Sequence, residues 1–158
     1  MTAELTRRVL TLLFVREGDR LLLGYKKNGF GKGKWNGFGG KVKDGETVEA
    51  AAIRELEEES GVIVSYTSLK KLAKMEMEFE GWNELLEIHL FTTHTFCEMR
   101  PKWFHITDLP FSEMWADDSH WFPFLLAEKK FIAKFQFRDM ETISSFFIKL
   151  VDDLNAPS

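Results

Sequence analysis

The chain has a single cysteine, Cys97, among 158 residues, so no internal disulfide framework is available and a reducing compartment is expected. It has no excess of positive charge. A net charge of −4 and a pI near 5.6 argue against polymeric nucleic acid as a partner, which calls for a basic surface. They leave room for a nucleotide, whose phosphates a metal ion and a few local lysines can neutralise. No apolar run approaches the roughly 18 residues that span a bilayer. The N-terminus, Met-Thr-Ala-Glu-Leu-Thr-Arg-Arg, lacks the basic region and long apolar core of a secretory signal. Internal repeats and low-complexity linkers are absent too. These absences predict one domain over residues 1–158, a monomer in the cytoplasm with a minor mitochondrial or nuclear fraction.

What is present supports a packed globule. Hydrophobic residues make up 44% of the chain, with 15 Phe and 5 Trp to fill a core. Arg8 to Phe14 and Arg20 to Lys26 read as a hairpin turned at Gly18 and Asp19. A glycine-rich loop follows from Asn28 to Lys34, then a short predicted strand from Phe38 to Val42. Thr47 to Ser60 reads as a helix stopped by Gly61 in the left-handed region. Leu69 to Glu78, Leu85 to Thr93 and Met99 to Ile106 are predicted strands. Ser119 is placed to cap a second helix reaching about Glu128. Phe131 to Phe137 alternates apolar and polar residues, and Ser144 to Val151 is its predicted partner.

The first helix carries carboxylates where an ordinary helix carries apolar residues. Val48, Ala51 and Ala52 define its predicted buried face. Glu55 and Glu59 fall within about 20° of the centre of that face, and Glu58 extends the acidic arc to roughly 100°. Acids within an apolar stripe are costly unless a positive charge sits among them. A divalent cation answers that need, since hard oxygen ligands suit magnesium. Glu49 and Glu57 lie on the outer flank and back, where charge merely solvates the surface.

Gly40, Glu46, Arg54, Glu55, Leu56, Glu58, Glu59, Gly61 and Val62 together resemble the Nudix box, with every fixed position filled. Three further segments, Gly33 to Gly40, Met99 to Phe104 and Met114 to Pro123, resemble the branch of that family that hydrolyses oxidised purine nucleoside triphosphates. The resemblance implies an α/β Nudix fold, with a mixed β-sheet sandwiched between α-helices. It implies Mg2+-dependent cleavage of 8-oxo-dGTP and 2-hydroxy-dATP to the monophosphate and pyrophosphate, with methylated purine triphosphates as extra substrates. Glu55, Glu58 and Glu59 are then metal ligands, joined by the Gly39 carbonyl. Arg54 holds a box carboxylate in place with Glu46, and an intrahelical pair with Glu58 is compatible with that. Glu59 and Glu98 are the two candidates for activating water, and Glu98 is also a candidate ligand. The connection from Thr92 to Cys97 is shorter than the family pattern, so a solvated loop position is the alternative for Glu98.

Substrate choice must come from outside the box. Asp117 and Asp118 are adjacent acids between Trp115 and Trp121, where burial and mutual repulsion raise a carboxyl pKa. A protonated carboxyl donates a hydrogen bond that an ionised one cannot, so the pair can read either a 6-oxo or a 6-amino purine edge. Asn36 supplies a donor and an acceptor opposite, and Trp115 can stack on the base. The alternative use of the two acids is charge at the start of a helix. The resemblance places Thr11, Lys26, Phe30, Met77 and Phe137 in the same pocket, ordinary core packing being the alternative for the hydrophobic ones. His89, His94, His105 and His120 show no metal-ligand spacing. The rival substrate class is another nucleoside diphosphate derivative such as ADP-ribose.

Overall fold

A computed structural model describes residues 4–94 and 102–155. Cys97 and Glu98, and the start of the strand predicted from Met99, lie outside the described residues. The elements run β1 (Thr6–Glu17), β2 (Arg20–Tyr25), β3 (Trp35–Asn36), α1 (Val48–Ser60), β4 (Leu69–Phe79), β5 (Glu84–His94), β6 (Lys102–His105), α2 (Asp118–Leu126), β7 (Phe131–Asp139) and β8 (Thr142–Leu150). The strand order is β3-β2-β1-β5-β4-β7-β8, with β6 paired to β2. The β1–β5 and β4–β7 pairs are parallel and the other pairs antiparallel, so the sheet is mixed.

The alternation of β1 builds two cores, because successive strand residues face opposite sides of a sheet. Leu12 and Phe14 face α2, and pack in one cluster with Trp121, Phe122 and Leu125. Leu13 and Val15 face α1, and pack in another with Ala52 and Leu56. Phe14 meets the Trp121 and Phe122 rings edge-on at 5.9 and 5.2 Å, an arrangement favoured by the ring quadrupoles. Helices therefore cover both faces, as the sequence implied. Among the described residues, no helix is long and apolar enough to cross a membrane.

Helix α1 starts and stops where its sequence signals lie. The Thr47 side chain accepts from the Ala50 amide at 3.1 Å, and Gly61 at φ 77° donates to Glu57 O at 2.8 Å. Its buried face is narrower than predicted. Ala51, Ala52 and Leu56 are buried, Val48 and Glu55 are half-buried, and Glu58 and Glu59 are exposed. Leu56 takes the core position because the end of the helix leans over a cleft, leaving Glu59 at the cleft rim.

Two other local expectations change. Residues 38–42 bond to β1 through Phe38, Gly40 and Val42 but form only isolated bridges, and the named strand is Trp35–Asn36 on β2. Glycines 37, 39 and 40 explain this, since they let the chain press against its neighbours instead of extending. A Cβ on Gly39 would stand 1.8 Å from Thr11 O. Gly39→Ala must therefore displace backbone, at a cost of about 2–3 kcal/mol and a Tm lower by about 5–10 °C. Thermal denaturation checks this, and a change below about 2 °C contradicts it. The second change is at α2, which begins at Asp118 rather than after a Ser119 cap. Asp117 occupies the cap position without a capping bond because its carboxylate turns inward.

Candidate active site

The box is organised by one arginine. Arg54 grips Glu46 with two parallel bonds, Nε to Oε2 at 2.7 Å and Nη2 to Oε1 at 2.9 Å. It also donates through Nη1 to Glu55 at 3.0 Å and Glu58 at 3.4 Å, and through Nη2 to the Lys41 carbonyl at 3.1 Å. Such bidentate pairing is the strong form of an arginine–carboxylate contact. The Arg54 guanidinium, helped by the Lys43 amide, holds the Glu46 carboxyl down at about 2. This depressed carboxyl adds stability above its ordinary pKa of 4.5, and that stability is lost as pH falls towards 2. The predicted intrahelical Arg54–Glu58 contact and the predicted ion pair of Arg54 with Glu46 both exist.

Glu59 is held differently. Its Oε1 accepts from the Gly39 amide at 2.9 Å, which ties the end of α1 to the glycine turn. Desolvation beside that turn, with Glu55 and Glu58 nearby, raises its carboxyl to about 6 against the pull of Gly39 N–H and Lys26. The backbone lies close enough to matter, because a Cβ on Gly40 would meet the Glu55 carboxylate at 2.7 Å. Glu55, Glu58, Glu59 and the Gly39 carbonyl are all-oxygen donors around this glycine cradle, which suits a hard divalent cation. No three acidic, histidine or cysteine side chains among the described residues are gathered as a ready-made metal cage. Arg54 engages two of the carboxylates and Gly39 the third.

A cavity of about 610 Å³ opens from this turn. Gly39, Gly40, Lys41, Lys26 and Glu59 line it, together with Asp117, Asp118, Asn36 and Trp115. Asp117 is fully buried and Asp118 is 2% exposed. Asp117 Oδ2 accepts from Trp121 Nε1 at 2.8 Å, while its Oδ1 is buried with no partner. Asp118 Oδ2 accepts from the Trp115 amide at 3.2 Å. Burial raises the pKa of both, and for Asp118 the neighbouring Asp117 raises it further. The pair is thus a buried site that prefers to keep a proton and has a free oxygen. Asn36 Oδ1 is engaged by the Gly37 amide at 2.8 Å, which turns the Asn36 amide group into a fixed donor.

Thr11, Lys26, Phe30, Asn36, Met77, Trp115, Asp117 and Asp118 all line the cavity as predicted. Phe137 does not. It is 1% exposed and lies beneath the wall, stacked on Phe79 at 4.7 Å and edge-on to Trp115 at 6.2 Å. Its apolar–polar alternation on β7 puts it in the core, behind the residues it supports. Trp82 and Lys34 are among the lining residues that escaped the sequence reading. Trp82 joins Phe30 at 5.7 Å to widen the aromatic wall. Lys34 Nζ lies 5.4 Å over the Trp115 ring and 2.9 Å from Glu141 Oε1, tying the glycine-rich loop to the β7–β8 turn. The alternation of Lys and Gly from Gly31 to Lys34 was its only signal.

A family model for the NUDIX domain matches residues 4–135. The chain belongs to the Nudix family. Its relatives within that family include the oxidized purine nucleoside triphosphate hydrolase of Mus musculus, 48% identical over 154 residues, which cover 93% of this chain and 97% of that protein. The protein of the same name from Danio rerio is 47% identical over 156 residues, covering 94% and 99%. The Nudix fold is also shared with the MutT protein of Bacillus halodurans, at a TM-score of 0.76 and 22% identity over 89% of this chain and 97% of that one. A MutT Nudix hydrolase of Burkholderia pseudomallei aligns at a TM-score of 0.60 and 27% identity, over 66% and 88% respectively.

Proposed function

We propose that this Nudix enzyme hydrolyses oxidised purine nucleoside triphosphates, 8-oxo-dGTP and 2-hydroxy-dATP among them, to the monophosphate and pyrophosphate. The curated relatives named for this activity match along nearly their whole length. The observation that carries the substrate reading is the buried Asp117–Asp118 pair, with its unpartnered Asp117 Oδ1, in the lining of a nucleotide-sized cavity.

The base stacks against the aromatic wall formed by Phe30 and Trp115, whose ring centroids lie 4.9 Å apart and tilted by 36°, in contact with each other. A carboxyl that keeps its proton donates to a 6-oxo group, and its ionised neighbour accepts from a ring N–H. Moving the proton between the two reverses the pattern for an amino purine. Asn36 donates from the facing wall. Methylation of the exocyclic group leaves this edge readable, which supports methylated purine triphosphates as further substrates.

The phosphates then lie over Gly39 and Gly40, with Lys26 and Lys41 beside them. Glu55, Glu58, Glu59 and the Gly39 carbonyl would hold magnesium, which when bound polarises the phosphoryl oxygens and acidifies water. Arg54 orients the Glu55 and Glu58 carboxylates. Glu59 keeps Oε1 on the Gly39 amide, so Oε2 is the atom placed to take a proton from water. A net charge of −4 supports free nucleotides as the partner, acted on by a cytoplasmic monomer.

A substrate panel at fixed magnesium tests the reading. The kcat/KM for 8-oxo-dGTP should exceed that for ADP-ribose by about 10²-fold or more, the size of discrimination that a buried polar reader provides. Greater efficiency on ADP-ribose ends it.

A further inference from the structure

A second open cavity, of about 600 Å³, lies along the Arg7–Val9 stretch of β1. Arg7, Arg8, Lys41 and Lys43 line it, with Val9, Val48, Asp44, Glu87 and His89. Arg8 and Lys41 line both cavities, so the two spaces adjoin at those side chains. In a chain of net charge −4, four cations around one cavity are a local reversal of sign.

Two of these cations are unspent. Arg8 pairs with Glu84 at 2.5 Å, and Arg7 with Glu87 at 3.0 Å. Lys41 and Lys43 have no ion-pair partner among the described residues. Of the two acids in the lining, Glu87 is already countered by Arg7 and by Lys74 at 3.0 Å, which leaves Asp44 alone against the two free lysines. The loop that carries the lysines is also rigid. Lys43 N–H donates to Glu46 Oε1 at 3.0 Å, and Lys41 O accepts from Arg54 Nη2 at 3.1 Å. Arg54 and its partner Glu46 therefore also hold the backbone from which the two free lysine side chains extend.

We infer that this basic groove receives the inorganic pyrophosphate released by the reaction, giving the product a holding site beside the cleft. The inference rests on the proposed cleavage to monophosphate and pyrophosphate. A compact polyanion is well matched to mobile lysine point charges, which need no planar geometry to bind it. Asp117 and Asp118 do not line the groove, so it handles phosphate without reading the base.

Product inhibition of the full-length protein by added pyrophosphate provides the test. Lys43 is exposed, outside the nucleotide cleft and unpaired, so Lys43→Ala and Lys43→Glu should fold normally and keep the KM for 8-oxo-dGTP within about two-fold. The inhibition constant should rise about three- to five-fold in Lys43→Ala, the size of one partly screened charge pair, and further in Lys43→Glu. Lys43→Arg should restore it. An unchanged inhibition constant in Lys43→Glu overturns the inference. So does a KM that rises by the same factor, because the lysine would then serve the bound substrate rather than the released product. Failure of the substrate reading is a separate result, visible as loss of 8-oxo-dGTP hydrolysis in the unmodified protein.

Discussion

Glu59→Gln should lower the kcat for 8-oxo-dGTP by about 10²–10⁴-fold, the range spanned by losing a general base or a charged ligand. The amide oxygen of glutamine can still accept from Gly39 N–H, so the tie between α1 and the turn survives. The fold should survive with it. Desolvation raises the Glu59 carboxyl from 4.5 to about 6, so in the folded protein its ionised form is disfavoured. A raised carboxyl pKa means a contribution to stability that declines as pH rises from 4.5 through 6, and glutamine removes that decline. The Tm of the variant at pH 7 should therefore be no lower than that of the unmodified chain. Rapid-quench turnover and a thermal melt on the same preparation decide it. Near-normal turnover removes Glu59 from the chemistry, and a collapsed Tm would make the rate uninformative, in which case Glu59→Asp supplies the second comparison.

The second large effect is expected at the base-reading pair, where function and stability should move in opposite directions. Asp117→Asn keeps an oxygen for Trp121 Nε1 but replaces the unpartnered Oδ1 with an amide group and removes the repulsion on Asp118. Efficiency on 8-oxo-dGTP should fall about 10²–10³-fold, because the proton can no longer be redistributed to match the 6-oxo edge. Stability should rise. Both carboxyls are raised from their ordinary 3.8 by burial, so the folded protein is penalised increasingly as pH climbs above that value. At pH 8 the variant should gain about 1–3 kcal/mol, seen as a Tm about 3–10 °C higher. At pH 3.5, where both states carry protonated carboxyls, most of that gain should vanish. A variant less stable than the parent at pH 8 would mean the Asp117 carboxylate is satisfied in a way its surroundings do not reveal.

Local signals made much of this protein readable from its residues. The hairpin at Gly18, the Gly61 stop and the alternation of β7 depend on neighbours within a few positions, and each appears where the sequence placed it. The box was legible for the same reason, since helical spacing puts Glu55, Glu58 and Glu59 on one side of α1. Asp117 and Asp118 were legible only with the family pattern beside them. By spacing alone they could equally have been charges opening a helix, and Asp117 does stand at the head of α2.

Other features depended on contacts between distant segments. Phe137 looked like a pocket residue and proved to be the support behind one. Residues 38–42 looked like a strand, but the close approach of Gly39 to Thr11 breaks it. Lys34 meets Trp115 and Glu141, both far along the chain, and no local pattern announces such a meeting.

From the sequence alone came the identity of the reactive groups and the order of the elements, since periodicity and turn chemistry act over a few residues. Which oxygens lie free, which carboxylates share Arg54, and where the basic groove adjoins the cleft were decided only by the tertiary structure. Desolvation and charge pairing depend on what the folded sheet brings together across the chain, and a linear pattern does not contain that.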